Sequence, residues 1–411
     1  MKKYVIIGNS AAAIGAVQGI RSVDGEGLIT VISDEPYHTY SRPLISYWLE
    51  GKVDDEKIYY REPDFYEKNN VMTMFNTRAV KIGDGYVTLE NGGKVQYDKL
   101  LVATGSKPFV PPMAGLESVK DKFTFMNWDS AKAIKEKVKE NTRVLIVGAG
   151  LIGLKCAEAL YHLKADITVV DLADRILPSI LDVRAGEIMQ KHIENKGTKF
   201  ILGASVEQFT ENSAKLTNGT TVDFDIVVVA VGVRPNTELV SEAGGKVEKG
   251  IITDMTQLTT IPDVYAAGDC TVSYDCSSGT DRILALLPNA FMQGEVAGKN
   301  MAGKETYYMN AIPMNAIGFY GLHIITAGSY DGEAFVEENA EKEQYKKLVM
   351  KDGQLKGYIL MGDVARAGIY TSMIKEQIPL ADVDIELLKT KPQMMMFGKA
   401  RRDEKLAGKI G

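Results

Sequence analysis

Residues 143–171 read RVLIVGAGLIGLKCAEALYHLKADITVVD: a β-branched run, a glycine-rich turn, an alanine-rich helical stretch and a second strand-like run. The glycines of the turn, Gly148, Gly150 and Gly153, have the spacing G-x-G-x-x-G. In a strand–turn–helix unit, the first glycine permits the tight turn, the second lets the backbone approach a pyrophosphate, and the third lets the helix pack on the strand. The N-terminus of the helix then faces the negative charge. This stretch therefore predicts a βαβ unit that binds a dinucleotide.

The residue that ends the second strand-like run indicates which dinucleotide binds. Asp171 lies about 20 residues after Gly150, where a carboxylate can accept hydrogen bonds from both hydroxyls of an adenosine ribose. The 2′-phosphate of NADPH would meet like charge there, so we expect NADH to be preferred. Arg175, a little further along, weakens this preference because it offers a cation. Leu151 and Ile152, inside the motif, complete the predicted NAD(H) site.

A second stretch near the start of the chain has the same pattern. Residues 4–20, YVIIGNSAAAIGAVQGI, pass from a β-branched run through a small-residue turn into an alanine-rich helix. Ser10 and Ala13 stand where two further glycines would follow Gly8. Both are small enough for close approach, and the Ser10 hydroxyl can donate a hydrogen bond to a phosphate. The chain therefore contains two predicted nucleotide-binding units.

The two units also continue in the same way. The next strand-like run of the first unit ends at Asp34 or Glu35, either of which is a candidate ribose ligand. Each unit then closes with a strand that enters a small-residue turn, YDKLLVATGSKP at 97–108 and FDIVVVAVGVRPN at 224–236. This repetition strengthens the prediction of the first unit, whose own glycine motif is degenerate.

Proline-rich segments divide the chain into domains. Residues 106–115, SKPFVPPMAG, predict a crossing between two domains, and residues 233–239, VRPNTEL, predict the return. The last hundred or so residues differ, with strand-like runs, a hairpin turn at Asp352-Gly353 and a helical stretch. The predicted domains are a discontinuous first domain, a second domain inserted in it, and a small C-terminal α+β domain: residues 1–110 with 238–305, residues 111–237, and residues 306–411.

Composition excludes several classes of function. The chain has 411 residues and a net charge of −6, so non-specific binding to nucleic acid, which needs a basic face, is not expected. The longest apolar runs are strand-sized and the N-terminus reaches its glycine turn early, so we expect neither a membrane span nor a signal peptide. The cysteines and histidines show no metal-ligand spacing, so no metal site is expected. Three cysteines, an odd number, suit a reducing cytoplasm: Cys156, Cys270 and Cys276.

Six segments carry a resemblance to a known family: GNSAAAI, SDEPYHTYSRPL, LLVATGSKP, VGAGLIGLKCAEAL, AVGVRPN and VYAAGDC. They follow one another as in the FAD-dependent pyridine nucleotide–disulfide oxidoreductase superfamily. The chain resembles most the branch of NADH-dependent rubredoxin and ferredoxin reductases and the flavin part of nitrite reductases. The resemblance covers roughly residues 1–305. It implies an α/β, glutathione-reductase-like fold, with Rossmann-like FAD and NAD domains and a small C-terminal α+β interface domain.

The resemblance also assigns cofactor contacts. FAD would be held by residues of several segments: Gly8, Ser10 and Ala13 at the pyrophosphate, Asp34 or Glu35 at the ribose, Arg42 and Pro43 beside the ring, Ala79 and Val80 at the adenine, Ala103, Thr104 and Gly105 at the chain crossing, Asp269 at the ribityl chain, and Pro288 and Asn289 at the helix N-terminus that faces the flavin. NAD(H) would be held by Gly148, Gly150, Leu151, Ile152, Gly153 and Asp171, with Gly232 beside the nicotinamide.

The chain departs from its relatives in the segment SRPLISYW, residues 41–48. Members that reduce disulfides or peroxides carry cysteine in that segment, but this chain has none before Cys156. Related reductases often have a lysine at the position of Tyr47 and a glutamate at that of Lys155. We therefore expect Lys155 and Arg42 to act as catalytic residues that supply positive charge near the flavin, with Glu50 as a possible counter-ion.

Three aromatic residues of the same region have open alternatives. Tyr40, Tyr47 and Trp48 either line the flavin ring, or form a surface where a partner docks, or belong to the core.

The resemblance implies an FAD-dependent oxidoreductase that moves a hydride between NAD(H) and flavin. Without a cysteine relay, the reduced flavin exchanges single electrons with a small redox protein, such as a rubredoxin or ferredoxin, or with an iron–sulfur subunit. The physiological direction stays open. The alternatives are an NADH oxidase that uses O₂ directly, and a redox subunit that is active only within a larger complex. An oligomer or complex subunit is equally compatible with the sequence.

Overall fold

The computed structural model describes residues 1–399 and 401–403, which form two compact units. The first unit comprises Met1–Ser179, Met189–Ser273 and Arg282–Tyr308. The second comprises Ile180–Ile188, Tyr274–Asp281 and the described residues from 309 onward. The predicted boundaries between the two nucleotide-binding domains fall inside the first unit, and the three-domain division stays a prediction.

The central strands of the first parallel sheet, Lys3–Ile7 and Lys99–Val102, are apolar and buried on both faces, as parallel strands usually are. Its order shows that the chain returns to this sheet after residue 260: Val264–Ala266, Lys99–Val102, Lys3–Ile7, Leu28–Ile32 and Val71–Met74. All its strand pairs are parallel. A three-stranded antiparallel sheet accompanies it: Ala79–Gly83, Tyr86–Leu89 and Lys94–Gln96.

The second parallel sheet repeats this arrangement. Its strands are, in spatial order, Lys199–Leu202, Asp166–Asp171, Arg143–Val147, Ile226–Val229 and Lys122–Phe123. It too has a three-stranded antiparallel companion: Val206–Phe209, Ser213–Leu216 and Thr221–Asp223. The internal repeat seen in the sequence is therefore a repeat of structure, and the predicted pair of Rossmann-like domains is confirmed.

The helices occupy the segments between these strands. In chain order they are α1 (Ala11–Arg21), α2 (Ile45–Glu50), α3 (Phe65–Lys68), α4 (Trp128–Lys137), α5 (Leu151–His162), α6 (Val183–Glu194), α7 (Glu238–Glu242), α8 (Leu287–Met301), α9 (Ala367–Lys375) and α10 (Ile385–Thr390). Further short strands are Ile251–Ile252, Thr271–Asp275 and Thr280–Arg282. No helix within the described residues is long and apolar enough to cross a membrane.

Helices α1 and α8 cross at unusually close range. A Cβ at Gly294 of α8 would overlap the carbonyl oxygen of Ala12, and one at Gly15 of α1 would overlap that of Phe291. The contact repeats one turn later, where Gly298 meets Ala16. Backbone therefore packs on backbone along the crossing, which fixes both helices on the first parallel sheet.

The two chain crossings between the nucleotide-binding halves pair with each other. Strands Ser106–Pro108 and Val233–Pro235 are antiparallel neighbours. The Thr104 hydroxyl donates to the Asn236 carbonyl oxygen at 2.8 Å, and the Asn236 amide donates to the Thr104 carbonyl oxygen at 2.8 Å. Reciprocal hydrogen bonds thus join the two segments that the sequence predicted as crossing and return.

The second unit contains an antiparallel sheet in the order Met314–Phe319, Leu322–Gly328, Gln354–Met361, Gln344–Lys351 and Glu333–Asn339. The predicted hairpin turn at Asp352-Gly353 is confirmed, because Lys351 pairs with Gln354. Helix α9 covers the sheet with Tyr370, Met373 and Ile374, which are buried in an apolar cluster of this unit. This architecture is the α+β domain expected from the sequence.

Candidate functional site

The first glycine turn lies between strand Lys3–Ile7 and helix α1. Gly8 has φ +116°, and its N–H donates to the carbonyl oxygen of Ile32 at 2.8 Å. A Cβ at this position would overlap the carbonyl oxygen of Ala103. Ser10 is the N-cap residue of α1, but within the described residues its side chain makes no capping hydrogen bond to that helix. Its hydroxyl and the helix N-terminus thus fit the pyrophosphate of a dinucleotide.

Asn9, which the sequence arguments did not consider, holds this turn in place. Its amide donates to the carbonyl oxygen of Tyr37 at 3.0 Å, and its side-chain oxygen accepts a hydrogen bond from the Tyr66 hydroxyl. The turn is thereby tied to helix α3 and to residues 37–50, YHTYSRPLISYWLE, here called the aromatic stretch. The sequence feature that could have indicated this role is a polar residue between Gly8 and Ser10.

Glu35 and Arg42 form an ion pair after strand Leu28–Ile32. Arg42 Nη2 donates to Glu35 Oε1 at 3.1 Å, and Arg42 Nη1 donates to the Tyr40 hydroxyl oxygen at 3.1 Å. The side chains of Arg42 and Glu35 are 36% and 21% exposed, whereas Asp34 is exposed. Of the two predicted ribose ligands, Glu35 is therefore the one held in a fixed geometry.

The charge of Arg42 also acts on Asp269, the predicted ribityl ligand. Burial raises the pKa of the Asp269 carboxyl above its ordinary value, and the positive charge of Arg42 opposes that rise. The preceding residue, Gly268, has its N–H bonded to Gln293 of α8 at 2.6 Å. The structure thus pairs Arg42 with Glu35 and places Asp269 within reach of the charge of Arg42; that the three residues serve one cofactor site stays a prediction.

The remaining predicted FAD residues lie on several segments around this cluster. Ala79 and Val80 begin the antiparallel strand Ala79–Gly83, Pro43 is exposed in a short 3₁₀ turn, and Ala13 is buried in α1. Ala103 donates its N–H to the Ile7 carbonyl oxygen at 2.8 Å, and Gly105 has φ +63° at the chain crossing.

Helix α8 begins at Leu287, next to the predicted Pro288 and Asn289. Pro288 lies in the first turn, where its missing N–H costs no hydrogen bond. The side chain of Asn289 is buried and accepts a hydrogen bond from the Tyr308 hydroxyl at 2.9 Å. Asn289 therefore helps to anchor the helix, and the role of its backbone amide beside the flavin stays a prediction.

The aromatic stretch packs around Trp128 of α4, a residue that the sequence arguments missed. The ring centroids of Tyr37, Tyr40 and Trp48 lie 5.0, 5.8 and 6.0 Å from that of Trp128. The Tyr40 hydroxyl accepts a hydrogen bond from the backbone N–H of Trp128 at 3.3 Å. Tyr40 and Trp48 are buried, which favours the core interpretation over a docking surface.

The second glycine turn has the same geometry as the first. Gly148 has φ +118°, and a Cβ there would overlap the carbonyl oxygen of Ala230. A Cβ at Gly153 would overlap the Gly148 carbonyl oxygen, whereas Gly150 has open space around it. Helix α5 begins at Leu151. The open face of the turn fits a pyrophosphate that approaches the backbone at Gly150.

Asp171 lies at the end of its strand and already supports the turn. Its carboxylate accepts hydrogen bonds from the backbone N–H of Ala149 at 2.6 Å and of Ala173 at 2.7 Å. A carboxylate has about four lone-pair sites, so acceptor capacity for ribose hydroxyls is left. The guanidinium of Arg175 lies 3.0 Å from the carboxylate of Asp174.

Gly232, Leu151 and Ile152 complete the predicted NAD(H) set. Gly232 has φ +127°, and its carbonyl oxygen accepts a hydrogen bond from Phe109 at 2.9 Å, beside the paired crossings. Leu151 and Ile152 form the first turn of α5 and are partly exposed.

Lys155 contacts a carboxylate that the sequence arguments did not propose. Its ammonium forms an ion pair with Glu158 of the same helix and lies 4.7 Å from the centroid of the Tyr47 ring. Glu50, the suggested counter-ion, lies 2.7 Å from His162 Nε2 and also pairs with Lys52, and its role near the flavin stays a prediction. Tyr47 and Lys155 occupy the positions at which related reductases often have a lysine and a glutamate. The two side chains do lie together.

The cysteines are free and buried. Cys156 lies inside α5, and burial raises its pKa far above the ordinary value. Burial likewise raises the pKa of Cys270 to about 11, and it raises that of Cys276. None of the three thiols is placed to act as an accessible nucleophile.

We expect iodoacetamide at pH 8 to leave the folded protein unmodified, because its thiols are protonated and covered. The mass of the intact protein after alkylation, with and without guanidinium, measures this. All three thiols should react after unfolding. Fast labelling of one thiol in the folded protein, with loss of NADH-dependent dye reduction, would reveal a reactive cysteine and contradict the assignment.

Comparison with known proteins agrees with this geometry. The sequence model of the pyridine nucleotide-disulphide oxidoreductase family matches residues 2–294, and that of the rubredoxin NAD⁺ reductase C-terminal domain matches residues 313–378. The crystal structure of putidaredoxin reductase covalently joined to putidaredoxin superposes with a TM-score of 0.88 at 23% identity, over 95% of this chain and 96% of that one. That likeness shows the fold.

Relatives in sequence extend the comparison. The epsilon subunit of NADH-dependent phenylglyoxylate dehydrogenase from Aromatoleum evansii is 32% identical over 391 residues, 92% of each chain. A nitrite reductase (NAD(P)H) of Bacillus subtilis is 31% identical over 93% of this chain, which spans 48% of that protein. An NADH oxidase of Methanocaldococcus jannaschii is 33% identical over 74% of this chain and 71% of its own length. The chain belongs to the pyridine nucleotide-disulphide oxidoreductase family and is an NADH-dependent flavoprotein oxidoreductase.

Proposed function

We propose that this enzyme uses FAD to exchange a hydride with NAD(H) and single electrons with a small redox protein of the rubredoxin or ferredoxin type, or with an iron–sulfur subunit. Flavin, when bound, supplies this chemistry because it accepts two electrons together and releases them one at a time. The chain's own residues would bind the two dinucleotides and set the charge around the flavin.

The observation that carries the proposal is the burial of every cysteine. Disulfide exchange needs a thiolate that can reach its partner, and Cys156, Cys270 and Cys276 are all covered by protein. The segment at residues 41–48 instead presents Tyr47 to Lys155. Electrons are therefore expected to leave from the flavin itself. The match of residues 313–378 to a rubredoxin reductase domain supports a protein carrier as the acceptor.

We propose the following roles for the cofactor residues. Gly8 and Ser10 would hold the FAD pyrophosphate, Glu35 the ribose, and Asp269 the ribityl chain, with Arg42 paired to Glu35 and its charge acting on Asp269. Gly150 would face the NAD(H) pyrophosphate. The remaining capacity of the Asp171 carboxylate favours the free ribose hydroxyls of NADH over the phosphate of NADPH.

Anaerobic stopped-flow mixing of the FAD-replete protein with NADH tests the proposal. We expect the flavin absorbance to bleach at a rate on the order of 10 s⁻¹ or faster. NADPH in place of NADH should bleach it more slowly. In a second mix, reduced protein should be reoxidised faster by rubredoxin or ferredoxin than by dissolved O₂.

Two results would replace this proposal with its alternatives. Rapid reoxidation by O₂ with no gain from any carrier would indicate an oxidase, the activity named for the M. jannaschii relative. Failure of NADH to reduce flavin that dithionite does bleach would indicate a module that works only within a complex. The A. evansii relative, named as a subunit, gives that second alternative its support.

A further inference from the structure

Helices α2 and α5 meet along a line of polar side chains, most of them acidic or basic, here called the charged seam. Its members are Tyr47, Glu50, Lys52, Lys155, Glu158 and His162. Helix α5 opens at the second glycine turn, and α2 follows directly after Arg42. The seam therefore links the predicted NAD(H)-binding helix to the segment that borders the flavin.

Lys155 and Glu158 form the centre of the seam. They are an i, i+3 pair on α5, and their side chains are only 13% and 8% exposed. The ammonium of Lys155 also lies over the Tyr47 ring, 4.7 Å from its centroid. Charges that are so well covered by protein are screened much less than surface charges. The field that this pair produces thus acts over a longer range than that of an exposed pair.

Glu158 interacts with a second cation, Lys52. A hydrogen bond to Glu50 raises the pKa of Lys52, and the charge of Glu158 adds to the rise. Glu50, 4% exposed, is in turn shared between Lys52 and His162. Glu158 thus interacts with both lysines.

We propose that Glu158 is a positioning residue that fixes the ammonium of Lys155 and limits the positive charge that the flavin experiences. The proposal rests on the proposed role of Lys155 beside the flavin. Reduced flavin at neutral pH carries negative charge, so added positive charge favours the reduced form. Glu158 would therefore hold the midpoint potential below the value that Lys155 alone would give.

The sign of each substitution follows from this proposal. Glu158→Gln keeps an acceptor for Lys155 but removes the negative charge, so the potential should rise. Lys155→Met removes the cation, so the potential should fall. A tenfold change in the preference for reduced over oxidised flavin is equivalent to about 30 mV for a two-electron couple, and we expect shifts of about that size. The double variant should return close to the wild-type potential.

Spectroelectrochemical titration of the purified holoprotein measures these potentials, and thermal unfolding confirms that each variant is folded. Glu140→Gln is the matched control. It removes one negative charge from an exposed pair with Lys164 on the same half of the chain, and it should leave the potential unchanged.

The outcomes distinguish the role of Lys155 beside the flavin from the role of Glu158. No shift in Lys155→Met would remove the premise, and the proposal with it. A fall in Lys155→Met without a rise in Glu158→Gln would leave Lys155 in place and refute the role of Glu158. If Glu158→Gln does not fold, Glu158→Met replaces it: methionine removes the same negative charge and has a similar size, so this variant must also raise the potential. The carrier proposal is tested by reoxidation rates, which these potentials do not decide.

Discussion

Gly8→Ala is expected to purify without flavin, whereas Gly148→Ala is expected to retain flavin that NADH no longer reduces. Both glycines have φ between +116° and +118°, a region that side chains rarely adopt. In each case the added Cβ would also overlap a backbone carbonyl oxygen, that of Ala103 or that of Ala230. Backbone cannot move aside as a side chain can, so each turn must open.

The expected size of each effect follows from strain and overlap together. Strained backbone costs about 1–3 kcal/mol, and overlap with a fixed oxygen adds to it, so affinity should fall on the order of 100-fold or more. The flavin-to-protein absorbance ratio measures the first effect. Anaerobic titration of Gly148→Ala with NADH measures the loss of flavin reduction. Dithionite should still bleach the flavin of this variant.

Gly92→Ala is the matched control for backbone strain. Gly92 has φ +84° but open space where its Cβ would lie, so this variant carries the strain without the overlap. It should keep both flavin and NADH reduction. If Gly148→Ala lost flavin, or if Gly8→Ala kept it, the assignment of one turn to each dinucleotide would be wrong.

The features that sequence predicted are those that depend on neighbouring residues. Gly148 and Gly153 lie in one turn, so their spacing in the sequence was enough to predict the close approach of Gly153 to the Gly148 carbonyl oxygen. The apolar runs around them could only be buried strands, and the repetition of both patterns identified the two Rossmann-like halves. The hairpin at Asp352-Gly353 is local in the same sense.

The features that sequence did not predict join residues that are far apart in the chain. Tyr40 accepts a hydrogen bond from Trp128, 88 residues away, and no periodicity in either segment indicates that contact. Glu50 was suggested as a counter-ion near the flavin, and its pairing with Lys52 and His162 was not predicted. Which carboxylate meets which cation depends on how α2 packs against α5, and that packing is a property of the tertiary structure.

Gly294→Ala is expected to destabilise the first unit severely, because it separates α1 from α8. The new Cβ would overlap the carbonyl oxygen of Ala12, and flanking contacts at Gly15 and Gly298 leave no direction in which either helix can shift. Overpacking of a core costs roughly 1–3 kcal/mol when side chains can adjust. Here backbone meets backbone, so we expect about 3 kcal/mol or more. Urea unfolding followed by circular dichroism measures it.

Gly368→Ala is the matched comparison, because it makes the same substitution in a helix where the Cβ meets open space. Alanine restricts the unfolded chain more than glycine does and favours the helix, so this variant should gain up to about 1 kcal/mol. Both variants add one methyl group to a helix, but only Gly294→Ala brings that group against backbone. Equal stabilities would mean that the α1–α8 crossing is loose enough to admit a side chain, and the close backbone contact would then not be what holds the two helices together.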